Sequence, residues 1–306
     1  MKPITITKSC QLKADVLTVN GCEEPFDFKE LVADASLRRR MSRIVKMGVA
    51  CGLKCAEDLP SDSIDGIVTA TGLGCLGDTE KFMESIVVKN QRLLNPTPFI
   101  QSTFNTIGGQ IALLRGIHSY NVTYVHRGLS FESALIDAAM QVADGKRNVL
   151  LGAVDEITAS SADIQRRLGM TREYELGEGA NFFVLNAATP GSNQCPAVLD
   201  IATRSGRLTD DETIEWIVEM AKRNSINASD LCIIGNCNSK LVRTIEDKLA
   251  PRYVTLDDYK NCEYPTLSAC VLDSAANAVC IVPNEYILII NEYQGINHSL
   301  ILVGYV

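Results

Sequence analysis

The chain has 306 residues, of which 46% are hydrophobic, and a formal net charge of −8 at pH 7. This length and apolar content can build a large buried core, in one big domain or in two fused halves. The acidic balance, with a pI near 5.1, argues against nucleic-acid binding, because a protein needs a basic patch to neutralise phosphates. The one dense basic run, LRRRMSRIVK at 37–46, is interpreted as the solvated face of a helix, with a local docking patch as the alternative.

In chain order, the first half alternates strands with helices. Apolar residues that recur every three or four positions indicate the helices, and short β-branched runs indicate the strands. We predict strands at 4–12, 65–74, 121–126, 148–158 and 180–188, and helices at 37–58, 78–89, 105–116 and 131–145.

The second half repeats this order. We predict strands at 197–203, 231–237, 252–256, 286–293 and 299–306, and helices at 210–224, 240–250 and 266–282. Each half reads βαβαβαββ, which predicts an α/β protein with two sheets packed around shared helices. The Gly-, Pro-, Ser- and Asn-rich stretch at 186–196 is the natural seam, and we place the halves at 1–190 and 191–306.

Cysteine usage and the lack of targeting segments predict a cytoplasmic protein. The eleven cysteines are scattered through apolar segments, as expected in a reducing compartment. Cys51 and Cys55 lie one helical turn apart, but no second Cys/His pair lies nearby, so we predict two buried thiols rather than a metal site. The N-terminal residues lack the apolar run of a signal peptide. No apolar run is long enough for a membrane span.

A glycine-rich loop follows the second predicted strand. Gly72, Gly74 and Gly77 match GxGxxG between a strand and a helix, as in dinucleotide sites, but the second strand with its acidic end is missing. The corresponding region, NQRLLNPTPFIQS, is polar and interrupted by prolines. We therefore predict that the glycines allow a tight turn and close packing, and we predict no cofactor.

The stretch NVTYVHRGLSFESALIDAAMQ at 121–141 predicts a strand, a tight turn and a helix, a shape that can lift a nucleophile onto a helix N-terminus. The turn, however, holds Arg127 and Gly128, and Ser130 is placed to cap the helix. Asp155 and Glu156 follow a later apolar strand. They could form a catalytic carboxylate pair, but we interpret them as a turn residue and a salt-bridge partner.

Several segments resemble the β-ketoacyl synthases of the thiolase-like superfamily in order and spacing. They are TATGLGCLGDTEKF, NPTPFIQSTFNTIGGQIALLRGI, NVLLGAVDEIT, LGEGANFFVLN and GINHSLI. The resemblance is dense over 37–187 and thinner to the end, and it is greatest to the shorter synthase-like proteins of bacterial aryl polyene and flexirubin-type pathways. It implies the thiolase-like fold, with two βαβαβαββ halves in a five-layered αβαβα arrangement.

The resemblance also implies where the catalytic Cys, His and His of the family should stand. The Cys position falls on Gly128, the first His position on Gly235 or Asn236, and the second on Ser268 and Ala269. No catalytic residue is therefore predicted. Because such groups act as a unit, a chain that lacks all three cannot carry out decarboxylation and acyl transfer by the family's mechanism.

Other family features persist. TPFIQST resembles the interface segment that lines the acyl tunnel across the dimer, which points to Phe99, Ile100 and Thr103. EYQGINHS resembles the gate loop, with Tyr293 where the family has Phe, and with Asn297 kept.

The absence of the catalytic residues together with the presence of the tunnel segments resembles a chain-length factor, which is the non-catalytic partner of a ketosynthase. The resemblance implies a heterodimer with an active ketosynthase, formed through the strand YNVTYVHR at 120–127, with a homodimer as the alternative. Acyl-carrier protein would dock on the catalytic partner.

Two rival hypotheses stay open. One is an active condensing or acyl-transfer enzyme that uses Cys237 or Cys270 with His126 or His298. The other is a homodimeric pseudoenzyme that binds an acyl group or a carrier protein.

Overall fold

The computed structural model describes residues 1–13, 15–88, 94–170, 175–188, 195–237, 239–255, 263–281 and 285–305. The strands described are β1 (Ile4–Lys13), β2 (Val16–Val19), β3 (Cys22–Glu24), β4 (Ile64–Ala70), β5 (Tyr120–Tyr124), β6 (Asn148–Asp155), β7 (Gly179–Ala187), β8 (Pro196–Ser205), β9 (Leu231–Asn236), β10 (Tyr253–Thr255), β11 (Tyr286–Tyr293) and β12 (Asn297–Tyr305). The helices described are α1 (Phe28–Leu31), α2 (Ala35–Arg40), α3 (Arg43–Cys55), α4 (Leu76–Val87), α5 (Pro96–Gln101), α6 (Thr106–Arg115), α7 (Ser130–Ala143), α8 (Ala159–Arg167), α9 (Asp210–Arg223), α10 (Ser239–Leu249) and α11 (Leu267–Ile281).

The strands confirm the predicted repeat. Strands β5-β4-β6-β7-β1 form one sheet and β10-β9-β11-β12-β8 form another. The strands of each half can be numbered along the chain, leaving out the hairpin β2–β3. Both sheets then have the same spatial order, which is third, second, fourth, fifth, first. In each sheet the fifth strand runs antiparallel to its neighbours. The two sheets join through a short pairing of β1 with β8 at Ile4–Val198 and Thr5–Ala197.

Three apolar clusters divide the molecule into five layers, as predicted. Helices α3 and α6 pack on the outer face of the first sheet. Helices α7 and α11 lie between the two sheets, and α9 and α10 cover the outer face of the second. Strand β11 shows how the layers arise, because successive side chains point to opposite faces. Ile287 and Ile289 face the middle layer, whereas Leu288 and Ile290 face the outer one.

The predicted helix at 37–58 is wrong as a single element. Helix α2 ends at Arg40, and Met41 and Ser42 are extended before α3 begins. The side chain of Asp34 caps α2 by accepting from the backbone N–H groups of Ser36 and Leu37. The apolar period continues across this break, so periodicity alone merges the two helices.

Four elements lie where the sequence predicts neither a strand nor a helix. They are the hairpin β2–β3 and the helices α1, α5 and α8. Helix α5 begins with Pro96 at its first position, after an N-cap bond from the Thr97 N–H to the Asn95 side chain. Proline suits a first turn, where its missing N–H is not needed. The prolines that suggested an interruption therefore begin a helix.

The interpretation of Cys51 and Cys55 as buried thiols is confirmed. Both are fully enclosed in the cluster around α3, and the Cys51 thiol donates to the Cys10 carbonyl at 3.2 Å. Burial raises the pKa of both thiols well above the usual range, so they are protonated and poor metal ligands. In the described ranges no group of three or more His, Cys, Asp or Glu side chains could hold a metal ion. No helix among these residues is both long enough and apolar enough to cross a bilayer.

Candidate functional site

The predicted strand, turn and helix are present, and the turn is tightly closed. Strand β5 leads through a 3-10 turn at Arg127–Leu129 into α7. Arg127 has a left-handed backbone, with φ 51°, a conformation found often at functional turns. The Ser130 hydroxyl accepts from the His126 N–H at 2.7 Å and donates to the Arg127 carbonyl at 2.7 Å. Ser130 therefore closes the turn and does not cap the helix, which corrects the prediction.

Gly128, where the sequence predicts the position of the family's nucleophile, is buried against an aromatic side chain. A Cβ atom placed on Gly128 would lie 2.6 Å from the Cβ and Cγ atoms of Tyr293 and would also collide with Cδ1. Real Cβ atoms essentially never approach other atoms so closely, and the neighbouring core is packed to crystal-like density. No side chain, thiol included, fits at Gly128 while Tyr293 keeps this place.

A tight turn holds Tyr293 over Gly128. Tyr293 is the last residue of β11 and pairs across the hairpin with Asn297, the first residue of β12. Between them Gln294 and Gly295 both have left-handed backbones, with φ 56° and 65°. Strand β12 also contacts the 3-10 turn that carries Gly128. The predicted gate residues thus lie at the predicted nucleophile position.

The first predicted histidine position also lacks room for a side chain. Gly235 has φ 141°, and a Cβ there would lie 2.8 Å from the Ile290 carbonyl carbon and would collide with its oxygen. The neighbouring Asn236 donates its side-chain N–H to the Glu263 carboxylate. Burial raises the pKa of Glu263 to about 7, Asn236 opposes that shift, and the nearby charge of Glu292 adds to it.

Glu263 was not recognised in the sequence because it precedes the predicted helix in a polar stretch. Its backbone joins the two halves, since its N–H donates to the Glu175 carbonyl at 2.7 Å and its carbonyl accepts from the Gly177 N–H at 2.8 Å. Glu263 and Tyr293 line a cavity of about 30 Å³. That volume has room for a water or two, and it is far too small for an acyl chain.

The second predicted histidine position lies beside a carboxyl group that sequence reasoning also missed. Glu132, four residues after Gly128, is fully buried, and its Oε1 accepts from the Ser299 hydroxyl at 2.8 Å and from the Asn291 amide at 3.4 Å. Burial raises the pKa of Glu132, while Ser268 and Ser299 favour its ionised form. Ser268 and Ala269 are both fully buried. The sequence signal for this buried carboxyl group is that Glu132 is the one acidic residue in a helix turn otherwise made of small and apolar residues.

Among the described residues Asp155 is held by hydrogen bonds from neutral donors and not by a salt bridge, which corrects that part of the prediction. The Oδ1 atom of Asp155 accepts from the Thr71 hydroxyl at 3.0 Å and the Gly72 N–H at 2.7 Å. Its Oδ2 accepts from the Thr266 hydroxyl at 2.8 Å and the Thr266 N–H at 3.0 Å. Asp155 is buried at the end of β6, where no solvated cation can reach it, so it joins the loop after β4 to the start of α11.

The glycine-rich loop is held by carboxylates and close packing. Glu156 accepts from the Gly77 N–H at 2.9 Å, and a Cβ on Gly72 would collide with Pro265. Gly74 has a left-handed backbone, and its Cβ would lie 2.5 Å from the Phe104 ring. The packing interpretation of these glycines is confirmed. Two of the loop's amide donors already face protein carboxylates, which would repel a phosphate group.

The other predicted tunnel residues lie on the surface. Phe99 and Ile100 on α5 are 55% and 57% exposed, and Thr103 just after α5 is also exposed, with its hydroxyl 2.8 Å from that of Thr106. The structure therefore does not bring this segment into the buried contact made by Tyr293. The loop after β4 lies between the two groups, because Leu73 lines the small cavity beside Tyr293 while the adjacent glycine packs against Phe104.

An exposed apolar face surrounds this segment. Strand β5 lies at the end of its sheet, and helix α5 packs against α4 while α6 packs against β5. The exposed large apolar side chains of this face are Met83, Ile86, Val87, Val88, Phe99, Ile100, Phe104, Leu113 and Tyr120. Isolated exposed apolar residues are common, but several of them on helices that pack beside the end of a sheet are typical of an interaction surface.

The two alternative nucleophiles lie in different parts of the core. Cys270 belongs to the middle layer, and its sulfur accepts from the Gln11 amide at 3.0 Å. Cys237 belongs to the outer cluster of α9 and α10.

The histidines proposed to activate these thiols bond to other groups. The His298 Nε2 atom is 2.9 Å from the Gly206 carbonyl, and the His126 Nδ1 atom is 2.9 Å from the Ser133 hydroxyl.

Comparison with known proteins agrees with the architecture. Residues 20–162 match the family described as the β-ketoacyl synthase N-terminal domain. The ishigamide ketosynthase/chain-length factor superposes with a TM-score of 0.80 at 15% identity, covering 99% of both chains. A β-ketoacyl synthase from Burkholderia phymatum STM815 gives 0.77 at 12% identity, covering 100% of both.

A ketosynthase in complex with its chain-length factor from Xenorhabdus doucetiae gives a TM-score of 0.73 at 11% identity, covering 100% of this chain and 98% of that chain. No curated protein matches the chain in sequence. The resemblance to β-ketoacyl synthases and the thiolase-like fold are confirmed.

Proposed function

Starting from a chain that resembles the β-ketoacyl synthases in sequence over residues 20–162 and in fold throughout, we propose that it is a non-catalytic, chain-length-factor-type subunit. It pairs with an active β-ketoacyl synthase in polyene or fatty-acid-like biosynthesis and shapes the acyl tunnel. We also propose that its halves are residues 1–190 and 191–306, which meet in a segment, 189–194, that lies outside the described residues. The observation that carries the functional proposal is the Tyr293 ring in the place of a side chain at Gly128.

The chemistry of the family supports this proposal. Condensation needs a thiolate to hold the acyl group and imidazoles to assist decarboxylation, and these groups act together. Gly128 and Gly235 have no space for side chains, and Asn236 is bonded to Glu263. Ser268 and Ala269 are enclosed in the core. Single substitutions at these positions would not restore the missing groups.

The open edge of β5 and the apolar face beside it support pairing with another subunit. An edge strand presents unpaired backbone groups to which a partner's strand can bond. The partner would cover Phe99, Ile100 and Leu113, which are all more than half exposed. Burial of such side chains is the main favourable contribution to association. The proposed partner is an active ketosynthase, and a second copy of this chain is the alternative.

Co-purification tests the pairing. The full chain is co-expressed with a tagged active ketosynthase, and the mass of the isolated complex is measured by native mass spectrometry. We expect a heterodimer that Ile100→Asp and Leu113→Asp each weaken. Val218→Asp is the matched control, because Val218 is an exposed apolar residue on α9, in the outer layer of the other half. A stable monomer in the presence of the ketosynthase would contradict the proposal.

Acylation tests the absence of catalysis. The chain is incubated with acyl-carrier protein that carries a labelled acyl group, and its intact mass is measured. We expect no adduct on this subunit and transfer to the ketosynthase partner alone. An adduct that disappears in Cys237→Ala or Cys270→Ala would instead establish an active enzyme with an unusual nucleophile.

A further inference from the structure

A second, much larger cavity lies away from the site described above. It has a volume of about 720 Å³, within the range of roughly 300–1,000 Å³ that is usual for small-molecule sites. The end of β1, the segment that leads into α1, and the helices α2 and α3 line it, and it is open to solvent. Helix α3 packs on the outer face of the first sheet, whereas α7 packs on its inner face. The sheet therefore separates this cavity from Gly128 and Tyr293.

The floor and walls of the cavity are apolar. Leu12, Met47 and Ala50 form the floor and are buried, and Phe26 and Phe28 are half-buried at the walls. Such a surface gains stability when an apolar chain covers it, by about 25 cal/mol for each Å² removed from water.

The rim of the cavity is cationic. It carries Lys29, Arg38, Arg39, Arg43 and Lys46. Most of this rim comes from the basic run at 37–46. The sequence analysis interprets that run as the solvated face of a helix, with a local docking patch as the alternative.

Two of these cations are already engaged. Arg38 donates to the backbone carbonyls of Val32 and Ala33, and Arg43 pairs with Glu178 through both of its terminal nitrogens.

The three remaining cations of the rim are Lys29, Arg39 and Lys46. Within the described part of the chain, Lys29, Arg39 and Lys46 have no carboxylate within ion-pair distance. The acidic side chains of the rim are Asp15 and Asp27. Asp27 is occupied in capping α1, because it accepts from the Lys29 N–H at 2.8 Å. In a chain with a net charge of −8, this local excess of positive charge calls for a negatively charged ligand.

We propose that this cavity binds an amphipathic anion, a molecule with one carboxylate or phosphate headgroup on an apolar chain. The headgroup lies among Lys29, Arg39 and Lys46, where charge-assisted hydrogen bonds are strong. The chain covers Met47 and Ala50 on the floor. A neutral alcohol of equal length gains the apolar contact without the ionic one, and a cationic amphiphile meets like charges. Headgroup charge therefore decides which ligands bind.

Titration calorimetry on the full chain tests this specificity. Decanoate, decyl phosphate, decanol and decyltrimethylammonium are compared below their micelle-forming concentrations. We expect saturable binding of one or both anions, at least about tenfold tighter than decanol and weaker in high salt. The relative affinities of decanoate and decyl phosphate identify the preferred headgroup. Equal binding of decanoate, decyl phosphate and decanol would overturn the proposal, as would no binding of either anion.

Matched variants locate the site. Arg39→Gln and Lys46→Gln should each weaken anion binding by about tenfold, as expected for the loss of one charge-assisted hydrogen bond. Arg40→Gln is the control, because Arg40 is an exposed neighbour on the same helix that does not line the cavity. Equal losses in Arg39→Gln and Arg40→Gln would show general surface attraction and refute the assignment.

Two further measurements complete the test. Ala50→Phe fills the floor and should abolish binding of both anions, with circular dichroism to verify the fold. If that variant unfolds, the glutamine variants decide the question alone. Capture of an acidic carrier protein without binding of decanoate or decyl phosphate would place a protein surface here and refute a small-molecule site.

Discussion

Replacing Gly128 by Ala tests whether the Tyr293 ring fills the nucleophile position. The added Cβ would lie 2.6 Å from the Cβ and Cγ atoms of Tyr293. This distance is about 1 Å or more shorter than an ordinary carbon–carbon contact of roughly 3.5–4.0 Å. Tyr293 is buried and fixed by a tight turn, so it can yield only by distorting its surroundings. Inserting a methyl group into such a packed place costs about 1–3 kcal/mol of unfolding free energy.

A double-mutant cycle separates this contact from other effects. Tyr293→Gly alone should cost at least about 3–5 kcal/mol, because a large buried aromatic side chain is lost. Glycine is needed here because alanine would keep the Tyr293 Cβ atom, 2.6 Å from the methyl group added at Gly128. With the ring and this Cβ atom gone, Gly128→Ala should cost almost nothing further. We therefore expect a coupling energy of about 1–3 kcal/mol between the two sites, measured by urea unfolding followed by circular dichroism. Additive losses would refute the reasoning.

Gly109→Ala is the control for the glycine cycle. Gly109 lies in the middle of α6, and a Cβ there meets no atom within 4 Å. Alanine favours helix over glycine, so this variant should gain about 0.5–1 kcal/mol. A gain at Gly109 and a loss at Gly128 would show that the loss comes from the local contact and not from replacing a glycine as such.

Three further predictions concern the carboxylates and thiols. Asp155→Asn places an N–H group among four hydrogen-bond donors and should lower the free energy of unfolding, measured in urea, by about 3 kcal/mol. A decrease below about 0.5 kcal/mol would contradict the hydrogen-bond network around Asp155. The folded-state pKa of Glu263, about 7, lies above the usual glutamate pKa of 4.5. The protonated carboxyl group therefore contributes to stability below pH 4.5, and this contribution is lost as the pH rises from there through 7, by roughly 3 kcal/mol. Glu263→Gln should flatten this decline in urea unfolding at pH 5 to 8, and an unchanged pH profile would count against the assignment. In the native protein, Ellman's reagent should modify the exposed Cys22 quickly and leave the buried Cys51 and Cys55 unmodified until the protein unfolds. Peptide mapping identifies the labelled cysteines, and early labelling of Cys51 or Cys55 would contradict the prediction.

Local patterns in the sequence determined the class of fold. Helical and strand periods are set by neighbouring residues, so the doubled βαβαβαββ unit, the strand–turn–helix at 121–141 and the burial of Cys51 and Cys55 could all be predicted. The break at Met41 and Ser42 could not, because the apolar period of α2 continues into α3.

Only the tertiary structure decided what stands at the functional positions. Gly128 could be read as a missing nucleophile, but the ring that fills its place belongs to a residue in the last hairpin of the second half. The sequence suggested a turn residue and a salt-bridge partner at Asp155 and Glu156, but Asp155 bonds to Thr266, 111 positions along the chain. Which cations of the basic run are paired likewise depends on Glu178 in the loop before β7. Such contacts join residues that are far apart in the chain, and their cost or gain exists only once the layers pack together.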